Sequence, residues 1–167
     1  AKEHFLAGLD EAPAEAHKLQ TRLLEGLSRS SVLLGALDEA EAGAQNGLKL
    51  LKEEDGSLRG RLLYTLGLVD WYRGNLDGAD RYLKKALIFT ERGGDVVEAA
   101  AVITAQGLVA HRRGRVTIAS TYYQEAMHMA EEIGDGSRAR EFSSRAPCII
   151  IYLWHHLALL CMRWRYV

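Results

Sequence analysis

Residues 67–95 read GLVDWYRGNLDGADRYLKKALIFTERGGD, and residues 107–135 read GLVAHRRGRVTIASTYYQEAMHMAEEIGD. Gly67 and Gly107 stand forty residues apart, as do Gly74 and Gly114, Ala79 and Ala119, and Ala86 and Ala126. Self-similarity at such a period marks a helical repeat array and outranks any local propensity. The register also runs backward, because Ala1, Ala40, Ala79 and Ala119 fall at intervals of 39, 39 and 40. Phe5 and Gly8 follow Ala1 as Leu83 and Ala86 follow Ala79; Ala44 and Gly47 are the weaker equivalents after Ala40. Residues 1–12 therefore read as the second helix of a repeat whose first helix lies outside the sequence, making the chain a fragment of a longer protein. A terminal capping helix that matches the register is the competing reading.

The totals narrow the function classes. At 167 residues the chain is long enough for one domain with a substantial core. A net charge of −1 argues against direct nucleic-acid binding, which needs an excess of Lys and Arg to neutralise phosphates. Only Pro13 and Pro147 interrupt a composition rich in helix formers. Cys148 and Cys161 form no C-x-x-C pair and imply no disulfide framework, so a reducing, cytoplasmic compartment is expected. The first residues, AKEHFLAGLDEAP, lack the basic and apolar regions of a signal peptide.

Taken in order, the register predicts repeats over 13–55, 56–94 and 95–135, with partial repeats at 1–12 and 136–146. In the first, Leu24, Leu27 and Ser28 occupy the places of Leu63, Leu66 and Gly67, and of Ile103, Gln106 and Gly107. Ser28 and Ala40 are small enough for two antiparallel helices to approach closely. Gly35, Gly74 and Gly114 turn the chain, and Asp55-Gly56 reads as a helix stop. Leu62, Leu63, Leu66 and Val69 make one buried stripe at helical spacing. Asn75 has the chemistry of an N-cap, and Asp95 with Glu98 has the spacing of a capping box.

The pattern of a large apolar residue, a small one near mid-helix, a turn glycine and then A-x3-[YFL]-x2-A resembles the tetratricopeptide repeat (TPR). It is carried by Leu63, Leu66, Gly67, Gly74, Ala79, Leu83 and Ala86, and again by Ile103, Gly107, Gly114, Ala119, Tyr123 and Ala126. The period of 39 to 40 exceeds the usual 34. It is similar to the long-repeat variants of kinesin light chains, mitotic-spindle scaffold proteins and sensor domains of large bacterial transcription activators. Asp70 and Ala110 replace the tyrosine that the pattern usually carries late in its first helix, and no proline marks the repeat ends. The resemblance implies an all-α solenoid of antiparallel helix pairs wound into a right-handed superhelix, with first helices lining a concave face.

Register fails at Pro147, where a small residue is expected and where proline ends or kinks a helix. Residues 147–167 form an apolar tail, PCIIIYLWHHLALLCMRWRYV. Its apolar stretch, 148–162, includes His155 and His156 and is shorter than the roughly 20 residues that span a bilayer, so no transmembrane span is expected. Three readings stay open for it: a terminal capping helix, an interaction helix that supports self-association or sits at a membrane surface, and a non-native end.

No catalytic motif is present: G-x-S-x-G, G-x-x-x-x-G-K, the Rossmann glycines and H-E-x-x-H are all missing. His155 and His156 point about 100° apart on a helix, and neither cysteine lies three or four residues from them, so no metal site is read there. No cofactor is expected. The candidate partner-binding face lies one stripe away from the buried one, at Arg61, Tyr64, Leu68, Trp71 and Tyr72. Its register equivalents include Arg22, Glu25, Arg29 and Val32, and Ala101, Thr104, Leu108, His111 and Arg112. Arginines flanking aromatics make the mixture enriched at binding hot spots. Packing between neighbouring repeats is the alternative role for Trp71 and Tyr72. Chaperone-binding TPR domains clamp a terminal carboxylate with lysine and asparagine; Leu68 and Leu108 stand at the asparagine positions and exclude that subclass. The expected function is a non-catalytic interaction module whose groove holds a peptide or helix, acidic and with apolar anchors. The second hypothesis is the effector-sensing segment of a larger bacterial transcription activator or signalling ATPase.

Overall fold

The repeat glycines fall where the chain reverses. In the computed structural model, which describes residues 2–13, 16–51 and 55–134, Gly35, Gly74, Gly94 and Gly114 have φ of +76°, +83°, +66° and +74°. A side chain there would press Cβ against the following carbonyl, at about 1–2 kcal/mol. The hydrogen bonds around these turns repeat as well. Gly35 N–H donates to Val32 C=O at 3.0 Å and Ala36 N–H to Ser31 C=O at 2.9 Å. Gly74 and Asn75 bond Trp71 and Asp70, Gly94 and Asp95 bond Glu91 and Thr90, and Gly114 and Arg115 bond His111 and Ala110, in the same arrangement. This is the Schellman motif, which satisfies the last carbonyls of a helix.

The described residues form seven helices: α1 (Lys2–Glu11), α2 (His17–Leu33), α3 (Leu37–Leu50), α4 (Gly56–Arg73), α5 (Leu76–Arg92), α6 (Val96–Arg112) and α7 (Val116–Gly134). Among the described residues the fold is all-α, with no strand. The helices pack in chain order: α2 on α3, α4 on α5 and α6 on α7, with α3 against α4 and α5 against α6. The first helices also meet one another, α2 on α4 and α4 on α6. Ala1, residues 135–137, the partial repeat at 136–146 and the tail 147–167 with Pro147, Cys148, His155, His156 and Cys161 lie outside the described residues.

The expected stripe of Leu62, Leu63, Leu66 and Val69 is buried, as are Ala40, Ala79, Ala86, Ala119 and Ala126. Close approach is what the small positions of the register are for. A Cβ on Gly67 would stand 2.8 Å from Leu83 Cδ2, and one on Gly107 would stand 2.4 Å from Tyr123 Cε1. In the first repeat the close approach is at Gly43, where a Cβ would stand 2.4 Å from Ser28 Oγ. Among the described residues three clusters make the core, the largest built on Leu63, Tyr64, Leu83, Val102 and Val109.

Two expectations need correcting. Asp55-Gly56 is not where α3 stops, because the helix ends at Leu50 and Leu51 is extended (φ −70°, ψ 130°). That backbone turn lets Leu51 pack on the Ala44–Leu62–Leu66 cluster, and Asp55 is the N-cap residue of α4. The capping box at Asp95 is half formed: Asp95 Oδ1 accepts from Glu98 N–H at 3.2 Å. The returning bond is absent because Asp95 N–H is already donated to Thr90 C=O, and Glu98 has another partner.

Candidate interaction face on the first helices

Helical spacing puts Arg22 and Arg29 on α2, Arg61, Tyr64, Leu68, Trp71 and Tyr72 on α4, and Thr104, His111 and Arg112 on α6. Because α4 lies between α2 and α6, these residues come together from three repeats. They do not share one level. Tyr64 and Thr104 are buried, Tyr64 inside the main core and Thr104 donating its hydroxyl to Ala100 C=O at 2.9 Å. They form the floor of the face rather than its contact surface. Arg29, Arg61, Leu68, Trp71 and His111 are half-buried, and Arg22, Tyr72 and Arg112 are exposed.

Arg29 reaches across α4 to α6. Its Nη1 lies 3.2 and 3.1 Å from the two oxygens of Glu98, whose side chain is 1 % exposed. Glu25, one turn away on α2, approaches the same nitrogen at 3.6 Å, and the guanidinium carbon sits 5.8 Å from the Tyr64 ring centroid. Burial alone would lower the Arg29 pKa, but the Glu98, Tyr64 and Glu25 charges and the Glu98 hydrogen bond more than offset it and hold it above its ordinary value. Burial pushes the Tyr64 hydroxyl pKa up, and Glu98 adds to the rise.

Arg61 makes the second cross-repeat tie. Its Nη2 and Nε lie 2.6 and 3.1 Å from Asp95 Oδ2, which also accepts from the Ser57 hydroxyl at 3.0 Å. Asp95 thus caps α6 with one oxygen and holds α4 with the other. Burial would raise its pKa, yet Arg61, the Glu98 N–H and Ser57 together hold it below the usual carboxylate value. Two of the four arginines on the candidate face, Arg29 and Arg61, are therefore already engaged by carboxylates of this chain.

The outer end of the face is aromatic. The Trp71 and Tyr72 rings meet edge to face, with centroids 4.9 Å apart and planes at 79°. Arg112 Cζ stands 4.9 Å from the Trp71 ring, and its Nη1 donates to the Trp71 carbonyl. Among the described residues, the buried Trp71 Nε1–H has no acceptor. Trp71 thus both packs between repeats and reaches the surface through Tyr72 and Arg112.

Leu33, 71 % exposed, was not read as part of this face. It stands 39 residues before Tyr72, which is 51 % exposed, and Tyr72 stands forty before Arg112. The register that placed Trp71 therefore also aligns Leu33, Tyr72 and Arg112. The signal was in the sequence: Tyr72 and Arg112 were already in the stripe, and only its first-repeat copy stopped one residue short, at Val32. Among the described residues no three His, Cys, Asp or Glu side chains gather as metal ligands, and no helix is long and apolar enough to cross a membrane. No protein-family model matches this chain, and no curated protein matches it.

Proposed function

We propose that this chain is a TPR-like interaction module whose first helices, α2, α4 and α6, together present a binding face for a peptide or helix of a partner protein. The observation that carries the reading is the Trp71–Tyr72–Arg112 cluster, an aromatic and arginine group exposed where α4 meets α6. Such a group combines apolar area, a polar edge and a cation, the mixture that concentrates binding energy. In this reading the helix pairs are antiparallel and wind as a right-handed α-solenoid, and the work is non-catalytic and cytoplasmic.

The geometry refines the partner's chemistry. Because Arg29 and Arg61 are neutralised internally, an acidic ligand gains little there. The recognised segment carries an apolar anchor for Leu33 and Tyr72 and one carboxylate within reach of Arg112. A displayed random-peptide library selected on the intact chain tests this. Selected peptides are expected to lose at least about tenfold in affinity to Tyr72→Ala/Arg112→Ala, the loss from removing one hot-spot pair. Peptides held equally by that variant and by wild type would remove the assignment.

A further inference from the structure

One polar group on the first-helix face is left without a partner. Trp71 Nε1–H is buried, and among the described residues nothing accepts from it. Buried donors left unsatisfied are uncommon in folded chains, because the lost hydration is not replaced. The ring itself is well held. It packs on the main core cluster, Tyr72 meets it edge to face, and Arg112 lies 4.9 Å from its centroid. Arg112 is the movable member of the three. It is exposed, it has no carboxylate partner among the described residues, and its Nη1 donates to the Trp71 carbonyl. Arg29 and Arg61, by contrast, are each held by a carboxylate of this chain. A carboxylate brought by a partner therefore draws Arg112 off the indole at the loss of one exposed hydrogen bond.

The width of the face limits what can use the freed donor. Leu33, Tyr72 and Arg112 stand on α2, α4 and α6, with α4 packed against both of the others. Packed helices lie about 8–10 Å apart, so two steps separate Leu33 from Arg112 by roughly 16–20 Å. An extended segment crosses that distance in about five or six residues, and a helix in about eleven to thirteen. Either would bring its middle over Trp71 and Tyr72. The inner carbonyls of a helix already accept from its own N–H groups, whereas those of an extended segment are free to accept from Trp71.

We propose that Trp71 is a recognition donor: its indole N–H is taken by a backbone carbonyl of a partner segment lying extended across α2, α4 and α6, while Arg112 turns from the indole to that segment's carboxylate. This rests on the interaction-face reading above and adds the partner's conformation and the residue that selects it. Peptides selected on the intact chain, titrated into isotope-labelled protein, test it. The Trp71 indole N–H resonance, identified by its loss in Trp71→Phe, is expected to move downfield as the Tyr72 and Arg112 amides shift. Trp71→Phe should weaken the peptides about tenfold, the scale of one hydrogen bond. Proline at one or more of the peptide positions between the apolar anchor and the carboxylate should be tolerated within about threefold, where a helical ligand would lose about a hundredfold at each. Should Trp71→Phe unsettle the helices, the wild-type indole resonance and the proline series decide. The proposal is overturned if the indole resonance stays in place while the Tyr72 and Arg112 amides move, or if every central proline costs about a hundredfold. Peptides that bind without moving the Tyr72 and Arg112 amides overturn the face assignment itself, and this inference with it.

Discussion

Replacing Arg29 with methionine removes both short contacts to Glu98, at 3.2 and 3.1 Å, and leaves a carboxylate that is 1 % exposed. Breaking a buried ion pair from one side costs about 3–5 kcal/mol, because the remaining charge is left without compensation. Glu98→Gln is the milder change. It keeps an acceptor oxygen facing Arg29, and Arg29 retains Glu25 at 3.6 Å and a side chain 29 % exposed to water. That loss should be about 1–2 kcal/mol, the scale of one charge-assisted hydrogen bond. Replacing both residues with methionine removes the uncompensated charge, so Arg29→Met/Glu98→Met should come within about 1 kcal/mol of wild type. Urea unfolding with a shared m value measures all three. Against a total stability of about 5–15 kcal/mol, the first change is large and the ordering is easily resolved. Equal losses for Arg29→Met and Glu98→Gln, or strict additivity in the double variant, would refute the reasoning.

Three further outcomes follow from the geometry. Gly107→Ala places Cβ 2.4 Å from the Tyr123 ring, whereas Gly67→Ala meets the flexible end of Leu83 at 2.8 Å. Despite better helix propensity, Gly107→Ala should lose about 1–3 kcal/mol and Gly67→Ala less, measured by thermal melting. Gly74→Ala, at φ +83°, should lose about 1–2 kcal/mol, with no contact within 4 Å to blame; an unchanged midpoint would mean the turn relaxes. Asp95 is held below its ordinary value of 3.8, so its charged form adds stability that is complete above that value and is lost as pH falls through the lower folded value. Asp95→Asn should therefore flatten the acid limb of the stability curve below about pH 4, and an unaltered limb in acid titration would contradict the assignment.

The repeat was legible because its signals are local. The three glycines whose spacing marked the turns, Gly35, Gly74 and Gly114, adopt the left-handed conformation, and the mid-helix Gly67 and Gly107 stand at the close helix approaches. The candidate face was legible only as a stripe. Helical spacing put Tyr64 beside Trp71 but gave no sign that neighbouring repeats cover Tyr64 and leave Trp71 only half-buried. Glu98 was misread for a similar reason. Its separation of three from Asp95 matches a capping box, while its actual partner lies 69 residues away on α2. Asp95 N–H could not join the box because the Schellman turn at Gly94 had taken it. Pairings between helices follow from the packing of three repeats, and a one-dimensional pattern carries them only where both partners recur with the period. Arg73 with Asp38 and Arg113 with Asp77 do recur, as ion pairs displaced by forty and 39 residues.

The central claim is that the first helices bind and the second helices support them. Amide chemical shifts of the labelled chain, titrated with a peptide selected on it, test that claim most directly. The account predicts shifts concentrated on α2, α4 and α6 around Leu33, Tyr72 and Arg112, with α3 and α5 silent. Shifts centred on α3, α5 or the exposed side of α7 would contradict it.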